Sequence, residues 1–152
     1  MRQFAVFALA GVLCLAGLAC DESLSTLAGP SPNLQPTFAS VQQEIFESTD
    51  IAGRVACITC HTNVGRNPTG NLNLTHDFAY DQLVNVPVAG RGAPPGSIRV
   101  IPGDPDNSYL IKKLVGAPDI VGLQMPRVGP PYMTAGQILI LKRWIAIGAP
   151  RN

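Results

Sequence analysis

The chain has 152 residues, with 11 Lys and Arg against 10 Asp and Glu, a formal net charge of +1 and no long run of either sign. That balance leaves no electrostatic footprint for nucleic acid, which needs a concentrated basic face. The 14 prolines and 15 glycines point to a loop-rich fold of short helices, long enough for one core in one domain.

Residues 1–19 read as a secretory signal peptide: Arg2 near the start, an apolar run from Phe4 to Ala19, and small residues at Ala16, Gly17 and Ala19. The run is too short and too abruptly ended to be read as a membrane helix. Export follows, to the periplasm or to a membrane surface facing the periplasm or cell exterior. Leu18-Ala19-Cys20 resembles the end of a bacterial lipoprotein signal, although Gly17 stands where such signals usually carry Leu. Cys20 therefore has two readings, a lipidated first mature residue or the neighbour of an ordinary cleavage point. Residues 20–36, with Ser, Thr, Gly, Pro and Asn among a few Leu, read as a flexible tether, and a single domain is expected over 37–152.

Within that domain an all-α arrangement is expected, because strand signals are weak throughout. A helix over Ser40 to Glu47 places Val41 and Ile45 on one face, with Ser40 and Gln43 as a capping box. A small element should hold residues 57–61. Thr75 is a good N-cap for a helix that carries Phe78, Ala79, Leu83 and Val84 and ends near Asn85. After an aperiodic loop rich in Gly and Pro, Asp104-Pro105 opens a helix with Tyr109, Leu110, Ile111, Leu114 and Val115 on its apolar side and Gly116 at its end. The last helix is capped by Thr134 and Gln137, turns Ile138, Leu141, Trp144 and Ile145 inward, and stops at Gly148.

Cys57-Ile58-Thr59-Cys60-His61 is a C-x-x-C-H run, the spacing by which c-type haem is attached covalently. Positions i, i+3 and i+4 share one face of a helical turn, so both sulfurs and the imidazole can meet one porphyrin. The thiols bond the two vinyl groups and His61 becomes the proximal iron ligand. Cys14 lies in the signal and Cys20 at its end, so no pair remains for a structural disulfide. Two rivals are weaker. A thioredoxin-like dithiol lacks a surrounding βαβ pattern, and zinc on Cys57, Cys60 and His76 lacks a fourth good ligand unless His61 turns to it.

The sixth iron position falls to Met125, Met133 or His76, or stays open. Met125 is favoured: it lies in a Gly- and Pro-rich loop between helices, and Pro126 disfavours helical geometry at it. Its alternative use is as a gap-filling core methionine. Met133 is accounted for by a hydrophobic staple onto Ile138, and His76 reads as an exposed polar residue. Arg99 has two readings, partner of a haem propionate or solvated surface side chain, of which the second is the plainer.

From Phe38 to Ala149 the order of features resembles a mono-haem cytochrome c of the class I type, and most closely the planctomycete-type cytochrome c domain. The residues that carry the resemblance are Cys57-Ile58-Thr59-Cys60-His61, Pro102-Gly103-Asp104-Pro105-Asp106-Asn107-Ser108-Tyr109-Leu110, Gln124-Met125-Pro126, and Gln137 to Ala149. It implies the cytochrome c fold of short helices and long loops around one haem c. It further implies thioether links at Cys57 and Cys60 and His61 with Met125 as axial ligands. The chain departs from simpler members at Glu47 to Ala56 and at Pro87 to Ile98, where a partner has room to dock.

The function expected is that of a non-enzymatic carrier of single electrons between redox protein partners, with membrane anchoring through Cys20 if it is lipidated. Histidine with methionine favours reduced iron and a comparatively high potential. The alternatives are a haem subunit of a larger membrane-associated redox complex and a five-coordinate haem sensor or enzyme.

Overall fold

A computed structural model describes residues 28–152. The signal peptide, Cys20 and the first part of the expected tether lie outside the described residues. Among the described residues four α-helices follow in order: α1 (Phe38–Val41), α2 (Ala79–Leu83), α3 (Tyr109–Val115) and α4 (Ala135–Ala146). A π turn, Gln42–Phe46, continues α1, and single 3-10 turns form at Cys57–Thr59 and Thr69–Asn71. Among the described residues, β pairing is confined to the isolated bridges Val84 with Val100, Pro87 with Ile98 and Ile101 with Asp104. The chain is helical and loop-rich.

Helix α4 forms the spine of the core. Thr134 accepts from the Gln137 amide at 3.2 Å while Gln137 Oε1 accepts from the Thr134 amide at 2.9 Å, so two amides at the helix start that lack helical partners are satisfied. Ile138, Leu141, Trp144 and Ile145 are buried along one side, as their spacing requires. Trp144 meets Phe38 of α1 at 5.7 Å between ring centroids, and Tyr80 of α2 stands edge-on to Phe38 at 5.0 Å. The terminal residue completes α1: Asn152 Oδ1 accepts from the Phe38 amide and its main-chain oxygen from the Ala39 amide.

Three element starts differ from expectation, the first because a neighbouring hydroxyl supplies the cap and the other two because a turn precedes the helix. Thr37, not Ser40, is the N-cap of α1, accepting from the Ser40 amide at 3.2 Å. Residues 75–78 form a turn, with the Thr75 carbonyl accepting from the Phe78 and Ala79 amides, and α2 begins only at Ala79. Asp104 and Pro105 form a turn in which Asp104 accepts from the amide and side-chain nitrogen of Asn107. The Ser108 hydroxyl also donates to the Asp104 carbonyl at 2.8 Å, and α3 starts after Ser108. Gly116 ends α3 in the left-handed region, φ +68°, as expected.

The tether expectation needs correction over 28–36. Ala28 and Leu34 are fully buried in the core, and Ser31 is 2% exposed. Apolar side chains spaced through a polar stretch pack into the fold here, and Gln137 Nε2 donates to Ser31 Oγ at 2.9 Å. Residues 28–36 therefore pack with the folded domain expected from residue 37.

Candidate haem site

Residues 57–61 form one tight turn: the Cys57 carbonyl accepts from the Cys60 amide at 3.2 Å and from the His61 amide at 3.0 Å. Cys57, Cys60 and His61 accordingly open onto one cavity of about 570 Å³, inside the roughly 300–1,000 Å³ range of small-molecule and cofactor sites. Neighbouring segments brace the turn. Arg66 donates to the Thr59 carbonyl, Thr69 N–H to the Cys60 carbonyl, and Leu74 N–H to the His61 carbonyl at 2.8 Å.

Met125 lines the same cavity on the loop after α3, and so does Met133. His76 does not: its side chain is 79% exposed and stands 4.0 Å from Glu47, which makes it the surface residue expected. Leu72, Leu74, Leu83, Leu110 and Leu114 contribute much of the apolar wall.

Both thiols are free; Cys57 is half-buried and Cys60 exposed. Burial pushes the Cys57 thiol up to about 11 against the opposing pull of Arg54, and its Sγ lies 3.4 Å from the Ile45 carbonyl. The His61 imidazole is pushed below its ordinary value, first by burial and further by the Arg99 and Lys113 charges, against backbone contacts from Thr69 and Leu72. A neutral imidazole is the form that binds a metal.

The fit of these residues to a haem rests on donor chemistry and on one orphaned atom. His61 Nδ1 is buried without a hydrogen-bond partner, a costly state for an imidazole nitrogen. Two thiols and this imidazole on one turn, with a thioether on a separate loop, make the donor set that a covalently held porphyrin uses. Among the described residues no three His, Cys, Asp or Glu side chains gather as a metal site, which counts against zinc on Cys57, Cys60 and His76.

Beside the cavity lies a buried polar network that no local sequence pattern announces. Arg54, 1% exposed, bonds Asp50 Oδ2 through Nε at 3.1 Å and donates to the Ile45, Val55 and Glu44 carbonyls. Asp50 Oδ1 accepts from the Ala52 and Arg54 amides at 3.0 Å, and its Oδ2 accepts from Gln137 at 3.2 Å. The segment Glu47 to Ala56 is thus folded inward around one ion pair. Arg99 also differs from its plainer reading: it is buried and lines the cavity.

No protein-family model matches this chain, and no significant match exists among curated proteins or solved structures.

Proposed function

We propose that this protein is an exported mono-haem c-type cytochrome that carries single electrons. The observation that supports the reading most directly is the convergence of Cys57, Cys60, His61 and Met125 on one apolar cavity. Haem bound there supplies a one-electron couple between ferric and ferrous iron. Cys57 and Cys60 would hold the group through thioether links, and His61 and Met125 would ligate its iron.

The residues of the chain have separable tasks in this scheme. Cys57 and Cys60 fix the position of the group along the 57–61 turn. His61, with its own carbonyl tied to the Leu74 amide, is held in orientation. The leucines exclude water and so disfavour the extra charge of ferric iron, which raises the potential in the same direction as a thioether ligand. Since Cys60 is exposed, a group attached there would lie close to solvent and within reach of a partner.

An optical spectrum of the mature protein tests this, taken oxidised, reduced, and reduced with carbon monoxide. A c-type alpha band unmoved by carbon monoxide, with the weak far-red ferric band of thioether ligation, is the expected result. Ready carbon monoxide binding would favour the sensor or enzyme. The absence of any haem band after export through working attachment machinery would return Cys57 and Cys60 to thiol chemistry.

A further inference from the structure

Arg99 is 7% exposed, and none of the ion pairs among the described residues includes it. Its Nη1 donates to the Gln82 carbonyl at 2.8 Å and its Nη2 to the Asn71 carbonyl at 3.0 Å. A guanidinium has five N–H donors, so two bonds orient the group and leave donors over. Neutral carbonyls also leave its charge uncompensated, and a buried charge without a counter-ion is strongly disfavoured.

The rest of the cavity wall provides no such counter-ion. Its other cations are Arg54, already answered by Asp50, Lys113, whose ammonium donates to the Val121 and Leu123 carbonyls, and Arg127, which is exposed. Its remaining titratable groups are His61, Tyr109, whose hydroxyl donates to the Gly92 carbonyl, and the two cysteines. No Asp or Glu lines the cavity. The missing anion must come with the ligand.

We infer that Arg99 receives a carboxylate of the group bound in this cavity. Given the haem reading on which this rests, that carboxylate is one haem propionate, held inside the protein and ionised. Arg99 is then a binding residue for that group, held in place by the Gln82 and Asn71 carbonyls.

The test uses the export-matured haem protein, with midpoint potentials measured from pH 6 to pH 8 for the native chain, Arg99→Gln and Arg99→Lys. With Arg99 present the buried propionate stays ionised across this window and the potential is flat. In Arg99→Gln, burial raises the propionate pKa into the window. Ionisation then adds negative charge beside the iron and favours the ferric state, so the potential falls as pH rises. Arg99→Lys restores the charge and the flat profile. A merely structural arginine predicts flat profiles in all three proteins, and that result overturns the inference.

Should Arg99→Gln fail to accumulate, the redox-induced infrared spectrum of the native protein at pH 6 decides the matter. It should show no protonated-carboxyl band that responds to the iron, and such a band overturns the inference. Lack of a c-type spectrum in the native chain would instead remove the haem reading itself.

Discussion

The amide of Met125 donates to the carbonyl of Lys113 at 2.9 Å, which pins the methionine loop to the last turn of α3. The Lys113 side chain adds further ties, to the Val121 carbonyl at 3.0 Å and to that of Leu123, while Gln124 Nε2 donates to the Leu114 carbonyl at 2.8 Å. Lys113→Met keeps the aliphatic stem and removes the ammonium ties, a loss of about 1–2 kcal/mol for the closed loop. Reduced Lys113→Met protein is expected to bind carbon monoxide about tenfold more readily than the native protein, with Lys113→Arg in between. Equal binding in all three would assign loop closure to the backbone tie alone.

Met125 and Met133 share the cavity wall, and substitution separates them. Met125→Ala is expected to lower the midpoint potential and open the iron to carbon monoxide. Met133→Ala should leave the spectrum intact and cost about 1–2 kcal/mol of stability, below the range for fully buried methionines. A spectrum that changes with Met133 and not with Met125 would exchange their roles.

The two thiols of the haem-free chain should react in a fixed order. Only a thiolate attacks an alkylating reagent, and burial holds Cys57 at about 11 while Cys60 is exposed. Iodoacetamide at pH 8, followed by peptide mapping, is expected to label Cys60 first and Cys57 more than tenfold more slowly. The raised value also fixes a pH dependence. Burial favours the neutral thiol, so its contribution to the fold is complete below the ordinary value of 9.0 and is lost as pH climbs towards about 11. Haem attachment removes both effects, since no thiol remains to titrate.

Asp50 and Arg54 are 2% and 1% exposed in their side chains. Asp50→Ala would leave the guanidinium buried without its counter-charge, a change that costs about 3–5 kcal/mol. Thermal unfolding should show the larger loss for Asp50→Ala and a smaller one for the double replacement Asp50→Leu with Arg54→Met. A double variant no better than the single would mean that the carbonyl bonds of Arg54, not its charge, dominate.

Local patterns were legible where both partners of an interaction lie within one turn. The Thr134 and Gln137 box and the inward face of α4 are of this kind, and so is the grouping of Cys57, Cys60 and His61. Helix starts were misread where a neighbour competes: Thr37 supplants Ser40, and Asp104 spends its carboxylate on Asn107 so that α3 waits for Ser108. Long-range burial left no local trace. Leu34 sits in a segment whose composition suggests a tether, and Arg99 is oriented by the carbonyls of Asn71 and Gln82, 28 and 17 residues away. Gln137 looks like a cap, and the sequence gives no sign that its other end bridges Ser31 and Asp50.

If Cys20 carries a lipid, the docking of Ala28 onto the core sets a limit on travel. Cys20 precedes Ala28 by eight residues, a length of chain that spans about 28 Å at most. With Cys20 fixed in a lipid surface, the folded body could not leave the bilayer by more than roughly its own width. Such a protein would meet its redox partners by sliding in the plane of the membrane, and its working concentration would be counted per unit of area.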